Sequence, residues 1–299
     1  MASVRDLRVR IRSVGNIKQI TRAMEMVAAT KLRRFQDRAV ASRPYALEIA
    51  QLLARMAGAM GERLEGRPQF RPGEGEAVGV LLIASDRGLC GPYNSQLFAA
   101  LERWLRERPG VDVRYWVIGR KAFQYLTKRG RQVERYLVEP PLEQVDYRMA
   151  KYAARLLSQA FLAGTLREVY VFYTAFESMA RYVPTPVRLL PVQREGEPRG
   201  EGKAGGEAAA REAAGDVILE PDLETLLERL VPRYLETRIY NAMLESITSE
   251  YASRRLSMKN ATDAASDMQS ILKNVYNRKR QESITKDLLD IVGGAEALR

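Results

Sequence analysis

The chain has 299 residues, a formal net charge of +11, one cysteine and no histidine. Without histidine, a Ser-His-Asp triad, an imidazole general base and a histidine-ligated metal are excluded. A single cysteine likewise excludes an internal disulfide, a Cys-x-x-Cys redox pair and a thiolate-rich metal cluster. Carboxylate chemistry and phosphate binding stay open, and the sequence predicts neither a metal nor a cofactor.

Signals for export or membrane insertion are missing from the sequence. The longest strongly apolar run, Val78 to Ala84, is far shorter than the ~20 residues that cross a bilayer. The first residues also lack the apolar core of a secretory signal. With one thiol and no export signal, we expect a reducing, cytoplasmic compartment.

The first predicted element is one long helix over residues 1–60. Two consecutive steps of three, Val14 to Ile17 to Ile20, break the strict heptad and predict a local change in supercoiling. Pro44 is expected to kink the helix or end it. The coiled-coil prediction rests on apolar residues at steps of three and four, namely Val4, Leu7, Ile11, Val14, Ile17, Ile20, Met24 and Val27.

Most of the positive charge belongs to this first helix. Residues 1–60 hold 12 Lys and Arg against 4 Asp and Glu, which is +8 of the total +11. Such a segment attracts an acidic partner, either nucleic acid or an acidic protein surface. A solvated helix face is the alternative. The interspersed acids Glu25, Asp37 and Glu48 and the apolar seam argue against nucleic acid.

The middle of the chain, residues 76–193, alternates strand and helix patterns. This alternation predicts a Rossmann-like α/β domain with a largely parallel sheet. Val78 to Ser85 is apolar throughout, as in a strand buried on both faces. Tyr182 to Val192 contains three prolines and therefore predicts an edge strand. Residues 194–216 are low-complexity sequence and are predicted to be a flexible loop.

A second long helix is predicted within residues 217–299. From Arg233 to Val292 the sequence has neither proline nor glycine, and its apolar residues again recur at helical spacing. Sixty helical residues span roughly 90 Å, which is too long for an ordinary globular domain. We therefore predict that the two terminal helices bury their seams against each other in a long antiparallel two-helix coiled coil.

One loop resembles a ligand cradle, the segment from Ser85 to Asn94. It follows a buried strand and precedes a helix, where doubly wound folds place ligands. It matches neither a Gly-x-Gly-x-x-Gly fingerprint nor a Walker loop. A structural turn or a protein contact is one interpretation, and an α/β enzyme that uses this loop is the other.

Three ordered motifs resemble the gamma subunit family of F-type ATP synthases. The first is Ile17 to Leu32, the second is Ser85 to Gly91, and the third includes Met258 to Ala265 and Gln281 to Ala295. The likeness runs from one end of the chain to the other.

This resemblance implies a rotor at the centre of a proton-translocating ATP synthase. In that family the gamma subunit is fixed with epsilon to a membrane ring of c subunits and turns inside a hexamer of alpha and beta subunits. Its rotation drives each beta site through states of different nucleotide affinity. The chain itself is then a non-catalytic subunit, held peripherally at the cytoplasmic face of the bacterial plasma membrane.

Two sets of contact positions follow from the resemblance. An apolar bearing at the end of the chain is implied for Leu288, Ile291 and Val292. A solvated coiled-coil face is the alternative for each position. Contacts with loops of the beta subunits are implied for Met24, Lys31, Arg87, Cys90, Arg254, Arg280 and Gln281.

Overall fold

The computed structural model describes residues 3–179, 181–192 and 223–296, and the side chains in these ranges except those of residues 62, 65, 223, 290 and 292–296. The chain divides into two compact units. Unit 1 is Met1–Lys31 with Arg254–Arg299, and unit 2 is Leu32–Ser253. The predicted flexible loop at 194–216 lies outside the described residues.

Apart from three short 3₁₀ helices, five α-helices and five strands make up the regular structure of the described ranges. In chain order they are α1 (Val4–Met60), β1 (Ala77–Ile83), α2 (Tyr93–Arg106), β2 (Val113–Ile118), α3 (Arg120–Lys128), β3 (Val133–Leu137), α4 (Tyr147–Leu162), β4 (Leu166–Phe176), β5 (Tyr182–Leu190) and α5 (Leu223–Glu296).

The seam of α1 differs from its prediction. Its buried and half-buried residues keep an unbroken heptad, because the seam passes from Val14 to Lys18 and Thr21. Ile17 and Ile20 are 50% and 59% exposed, so the predicted break in the heptad is wrong. The positions on this line are Leu7, Ile11, Val14, Lys18, Thr21, Glu25, Ala28, Leu32, Phe35, Ala39, Ser42, Ala46, Ile49, Leu53, Met56 and Met60.

Pro44 does not end α1, which continues to Met60. A proline in a helix leaves the carbonyl four residues earlier without its usual donor. Pro44 and Val40 are both exposed, so that carbonyl lies on a side of the helix that faces solvent. The helix therefore tolerates the proline on its outer face.

Unit 2 contains a five-stranded sheet in the order β3-β2-β1-β4-β5. The four strands β1 to β4 are mutually parallel, and β5 pairs with β4 in the antiparallel sense. This confirms the predicted largely parallel sheet with a proline-bearing edge. All seven residues of β1 are buried, as its apolar run predicts.

The sheet buries one face of α2. Leu97, Leu101 and Trp104 lie at helical spacing on that face and join the core formed with β1, β2 and β4. The Trp104 ring meets Phe172 of β4 edge to face, with 5.2 Å between ring centroids. Such a pair is worth about 0.5–1.5 kcal/mol beyond the area that it buries.

The α5 helix follows its predicted seam in unit 2 and departs from it in unit 1. Residues from Leu235 to Tyr251 on the predicted line are buried, and Tyr251 stacks on Phe35 of α1 with 5.6 Å between centroids. In unit 1, however, the predicted seam residues Met268 and Val275 are 54% and 44% exposed. No helix in the described ranges is long and apolar enough to cross a bilayer.

Candidate functional site

The turn after β1 is held together by its own side chains. Asn94, on the first turn of α2, accepts from the Ser85 backbone N–H through Oδ1 at 3.2 Å. It also donates through Nδ2 to Ser85 Oγ at 2.7 Å and to Cys90 Sγ at 3.2 Å. Because Ser85 and Cys90 are buried, these contacts keep the polar atoms satisfied inside the fold.

Asp86 takes the place that an anionic ligand occupies in many α/β folds. Its Oδ1 accepts from the backbone N–H of Arg120, the first residue of α3, at 3.0 Å. Its Oδ2 accepts from the backbone N–H of Leu142 at 3.2 Å. Helix N-termini attract phosphates because their first N–H groups are unpaired, and here the chain's own carboxylate meets that need.

The approach of β2 to β1 adds a second constraint at this edge. Gly119, between β2 and α3, has φ +97°, and a Cβ there would lie 2.0 Å from the carbonyl oxygen of Ala84. Only glycine allows the two strand ends to come so close. At this edge, where doubly wound folds hold a nucleotide, the backbone at Gly119 therefore packs directly against the backbone of Ala84 and Ser85.

The crevice between β1 and β4 is closed by α5. Pairing of β4 with β1 ends at Phe172 although β4 continues to Phe176. The backbone N–H and carbonyl of Thr174 meet Ser246 Oγ at 3.3 Å and Ser249 Oγ at 3.1 Å instead. The helix thus supplies the hydrogen bonds that a strand would have made, and it occupies the switch point where ligands bind.

Ser253 extends this polar ridge of α5 to the turn. Its hydroxyl donates to the carbonyl oxygen of Cys90 at 2.6 Å, and it accepts from the Tyr182 hydroxyl at 3.0 Å. A helix carrying serines at positions 246, 249 and 253 therefore joins β4, β5 and the turn. This arrangement favours the structural interpretation of the turn over the enzyme interpretation.

The turn presents its middle residues outward. Leu89 is 65% exposed and has φ +61°, a conformation that is costly for a residue other than glycine. Arg87 and Gly88 are exposed as well. A leucine held outward against its backbone preference is typical of a contact surface.

The two helix segments of unit 1 are antiparallel and meet through polar side chains. Arg8 donates to the Tyr276 hydroxyl at 2.9 Å, and Lys18 donates to Ser266 Oγ at 2.9 Å. Thr262 donates to Thr21, with 2.8 Å between the hydroxyl oxygens. The step from Arg8 to Lys18 along α1 corresponds to the step from Tyr276 to Ser266 along α5, so the two antiparallel segments keep one register over these ten residues.

Apolar side chains lie on the outside of the same segments. A monomeric soluble protein rarely leaves so many large apolar residues in water without a partner surface. The set that is more than two-fifths exposed is Val9, Ile17, Ile20, Met26 and Val27 on α1, with Leu256, Met268, Ile271, Val275, Ile284, Leu288, Leu289 and Ile291 on α5.

The end of α5 continues past the start of α1. The register of the two helices places Val4, the first residue of α1, level with residue 280 of α5. Of the predicted bearing residues, Leu288 and Ile291 are 58% and 69% exposed. Val292 belongs to the same helix, and its side chain lies outside the described residues.

The predicted contact residues fall into exposed and buried groups. Arg87, Arg280 and Gln281 are exposed, while Met24 and Lys31 are half-buried. Cys90 and Arg254 are 2% and 7% exposed. Sequence reasoning missed the exposed leucine at position 89 because a left-handed leucine has no local signature.

The pKa values of two carboxyl groups, one in each unit, are shifted in opposite directions. In unit 1 the Ser3 backbone N–H, followed by the Ser3 hydroxyl, lowers the pKa of Asp6, which lies in the first turn of α1. In unit 2 burial raises the pKa of Glu245 against the opposing influence of Arg43 and Arg238. Burial, with the charge of Glu245, also raises the pKa of Tyr173 to about 12.

Comparison with known proteins gives consistent relatives along the whole chain. A family profile described as ATP synthase matches residues 3–298. The ATP synthase gamma chain of Moorella thermoacetica is 38% identical over 305 residues, with 100% of both chains covered. That of Aquifex aeolicus is 34% identical over 302 residues, covering 99% of this chain and 98% of the relative.

The fold is also similar to solved structures. A chain from the rotor of the Euglena gracilis mitochondrial ATP synthase in rotational state 1 aligns with TM-score 0.63 and 18% identity, covering 94% of this chain and 98% of that one. A chain from the OSCP/F1/c-ring part of the same organism's enzyme, in rotational state 3, aligns with TM-score 0.66. Both chains are 18% identical to this one, and at that identity the likeness establishes the fold alone.

Proposed function

The chain belongs to the ATP synthase gamma chain family, and on that premise we propose that it is the central rotor of a proton-translocating F-type ATP synthase. Flow through the membrane sector turns a ring of c subunits, and this chain turns with it inside a hexamer of alpha and beta subunits. The chain performs no chemistry itself. It changes the nucleotide affinity of each beta site in turn.

The observation that carries this proposal is the apolar exterior of unit 1. Ile17, Ile20 and Val27 on α1 and Met268 and Ile271 on α5 are exposed, although the seam between the helices contains hydroxyls and a lysine. Apolar contact with a surrounding sleeve is non-directional. A surface of this kind keeps contact with the sleeve while the shaft turns.

The two helices also make the rotor asymmetric. Basic residues predominate on α1 in unit 1, whereas α5 carries most of the exposed apolar side chains there. A pair of unlike helices cannot face three equivalent beta subunits in the same way. Each orientation therefore stabilises one set of beta conformations over the others, which is how a mechanical position shifts a binding equilibrium.

Polar contacts with the beta subunits are proposed for the family-matched positions. Arg280 and Gln281 are exposed next to the level at which α1 begins, where loops of the hexamer reach α5 without displacing α1. Met24 and Lys31 are proposed to meet the acidic lever loop of beta, supported by the net charge of residues 1–60. The same contact is proposed for the turn after β1, where Arg87 and Leu89 are exposed and Cys90 is buried.

The last turns of α5 are proposed to be the bearing. Leu288 and Ile291 are exposed, and the register leaves this part of α5 without α1 beside it. An apolar collar around it removes that surface from water at about 25 cal/mol per Å². Val292 belongs to the same proposal through its sequence match.

Attachment to the c-ring and to epsilon is proposed for the α/β part of unit 2, as in the family. This would place the chain peripherally at the cytoplasmic face of the bacterial plasma membrane. Such a location agrees with the finding that no helix of the described ranges is suited to span a bilayer.

Reconstitution tests the rotor proposal directly. The full chain is combined with alpha and beta subunits, and rotation is followed with a bead fixed to unit 2 during ATP hydrolysis. We expect rotation in one direction and no hydrolysis by the isolated chain. Robust ATPase activity of the isolated chain, or a hexamer that turns over ATP at full rate without it, contradicts the proposal.

The contact positions are tested by a paired substitution. We expect Arg280→Ala with Gln281→Ala to lower the rate of ATP synthesis about tenfold, since losing a charge-assisted contact of about 1.4 kcal/mol costs that factor. Lys273→Ala, another exposed position on α5, serves as the matched control. Equal losses in both variants would count against a specific contact at residues 280 and 281.

A further inference from the structure

Two hydroxyl groups are buried beside the crevice that α5 closes. Tyr93, the first residue of α2, is 0% exposed, and Thr174 of β4 is 1% exposed. Within the described ranges, neither Tyr93 Oη nor Thr174 Oγ1 has a hydrogen-bond partner. A buried hydroxyl without a partner costs about 1–3 kcal/mol, and native folds pair the great majority of such groups with protein atoms or with ordered water.

Backbone hydrogen bonds place both residues against α5. The N–H of Thr174 donates to Ser246 Oγ at 3.3 Å, so this part of β4 lies directly under the helix. The N–H of Tyr93 donates to the Cys90 carbonyl oxygen at 3.3 Å. The same oxygen accepts from Ser253 Oγ at 2.6 Å. Tyr93 and Thr174 are therefore both connected to the serine ridge of α5.

The side-chain hydroxyls of these residues also lie close to one another. Burial raises the pKa of Tyr93 above its ordinary value, and the charge of Glu250 acts in the same direction. The hydroxyls of Ser246 and Thr174 oppose this rise, and a hydroxyl acts on a pKa in this way only at short range. Three hydroxyls, from α2, β4 and α5, therefore converge in the interior of unit 2.

The size and chemistry of this cluster select its ligand. Tyr93, Thr174 and Ser246 are at most 1% exposed, so the cluster is closed to larger molecules. Each hydroxyl donates one proton and accepts through its oxygen, and Ser246 Oγ already accepts from the Thr174 N–H. A buried water molecule donates as well as accepts and makes about three hydrogen bonds. A monovalent cation accepts no proton, so it would leave the hydroxyl protons without an acceptor.

We propose that the hydroxyls of Tyr93, Thr174 and Ser246 bind one internal water molecule. The water accepts from the Tyr93 hydroxyl and donates to Thr174 Oγ1, and Ser246 Oγ is its third contact. The crevice in which doubly wound folds bind a ligand is thereby reduced to a site for a single water, which links α2 and β4 to α5. This water site does not depend on the rotor role.

Magnetic relaxation dispersion of water oxygen-17 with the full chain counts the internal waters that stay bound for nanoseconds or longer. We expect Tyr93→Phe with Thr174→Val to lower this count by about one water per chain, since an apolar site of the same shape stays dry. Thr248→Val is the matched control. Thr248 is also buried, but its hydroxyl already donates to the Leu244 carbonyl oxygen at 2.6 Å, so its loss should leave the count unchanged.

A crystal structure of the unaltered chain supplies a second measurement that needs no variant to fold. We expect a water peak within hydrogen-bond distance of both Tyr93 Oη and Thr174 Oγ1. A direct bond between these two atoms with no density beside them would overturn the proposal. So would an unchanged water count in the folded double variant, an equal loss in Thr248→Val, or stabilisation by Na⁺ or K⁺ relative to choline at equal ionic strength, which indicates a bound cation.

Discussion

The helix pair of unit 1 and the α/β part of unit 2 distribute polarity in opposite ways. In unit 2 the apolar strand β1 is wholly buried, and polar groups such as Asp86 and Ser249 are used up in internal hydrogen bonds. In unit 1 hydroxyls and a lysine lie between the helices, while isoleucines face outward.

This contrast indicates that unit 2 buries its apolar surface within itself, whereas unit 1 leaves apolar surface exposed for a partner to cover. Burying apolar surface supplies most of the stability of an autonomous domain. Unit 1 leaves much of its apolar surface exposed, so its stability as an isolated pair is modest. A partner surface around it completes the burial, which is the expected behaviour of a shaft inside a sleeve.

The largest expected effect is in unit 2. Gly119→Ala places a Cβ 2.0 Å from the Ala84 carbonyl oxygen at a φ of +97°, so β1 and β2 must separate. We expect a loss of more than about 3 kcal/mol of unfolding free energy. Chemical denaturation of the isolated chain measures it. A loss below about 1 kcal/mol would mean that this edge of the sheet is not closely packed.

A smaller effect is expected from the hydroxyl pair in the unit 1 seam. Thr262→Val removes the hydroxyl whose single proton is shared between Thr21 Oγ1 and the Met258 carbonyl oxygen, both at 2.8 Å, and we expect a cost of roughly 1 kcal/mol. Thr21→Val with Thr262→Val should recover most of that loss, because two apolar side chains of the same shape then meet. A double-mutant cycle measures the coupling, and strict additivity would show that the hydroxyls act independently.

A glycine substitution in unit 1 should have the opposite sign to that in unit 2. Gly15→Ala adds a Cβ 3.1 Å from Nε2 of Gln269, the end of a flexible side chain. Alanine is favoured over glycine within a helix by about 0.8–1.0 kcal/mol. We expect a net gain of several tenths of a kcal/mol in the thermal or chemical unfolding of the chain. A loss would show that Gln269 cannot move aside.

The smallest effect concerns Glu245, because burial raises the pKa of its carboxyl group. The charged form is disfavoured in the folded state, so Glu245→Gln should stabilise unit 2 at pH 7 by a few tenths of a kcal/mol. As pH falls through the raised folded pKa, the wild-type carboxyl becomes protonated and the difference should disappear. Chemical denaturation of the wild type and of Glu245→Gln at pH 7 and at pH 4 tests this. A larger difference in unfolding free energy at pH 4 than at pH 7 would contradict a raised pKa of Glu245.

Asp6 provides the matched comparison in unit 1. Its pKa is lowered by the Ser3 backbone N–H, so its contribution is present above the ordinary carboxyl pKa and is lost as pH falls through the folded value. Asp6→Asn should therefore loosen the first turn of α1 at pH 7 and have little effect in acid. Hydrogen exchange of the first-turn amides follows this change.

Sequence patterns predicted the elements of unit 2 well. A wholly apolar run predicts β1, and the prolines of residues 182–192 predict an edge strand, because each pattern has a single common structural cause. The closure of the sheet edge was not predictable. It depends on Asp86 meeting the backbone of Arg120 and Leu142, residues 34 and 56 positions away.

The helix pair shows the limit of periodicity more sharply. Hydrophobicity placed Ile17 and Ile20 in the seam, whereas the seam contains half-buried Lys18 and buried Thr21, and both isoleucines are exposed. A repeat in three and four identifies an amphipathic helix without saying whether its apolar stripe faces a neighbouring segment of the same chain or another protein. For the contact positions, the motifs supplied the prediction, and the structure shows that Arg87, Arg280 and Gln281 are exposed whereas Cys90 and Arg254 are buried.

The sequence by itself determined that two long helices flank an α/β domain, that no histidine chemistry is possible and that residues 1–60 are strongly basic. These properties follow from local patterning and composition. Tertiary structure alone decided which face of each unit 1 helix meets the other and that a carboxylate and three serines close the ligand positions of the sheet. Those outcomes depend on residues far apart in the chain meeting in space, and no local pattern encodes them.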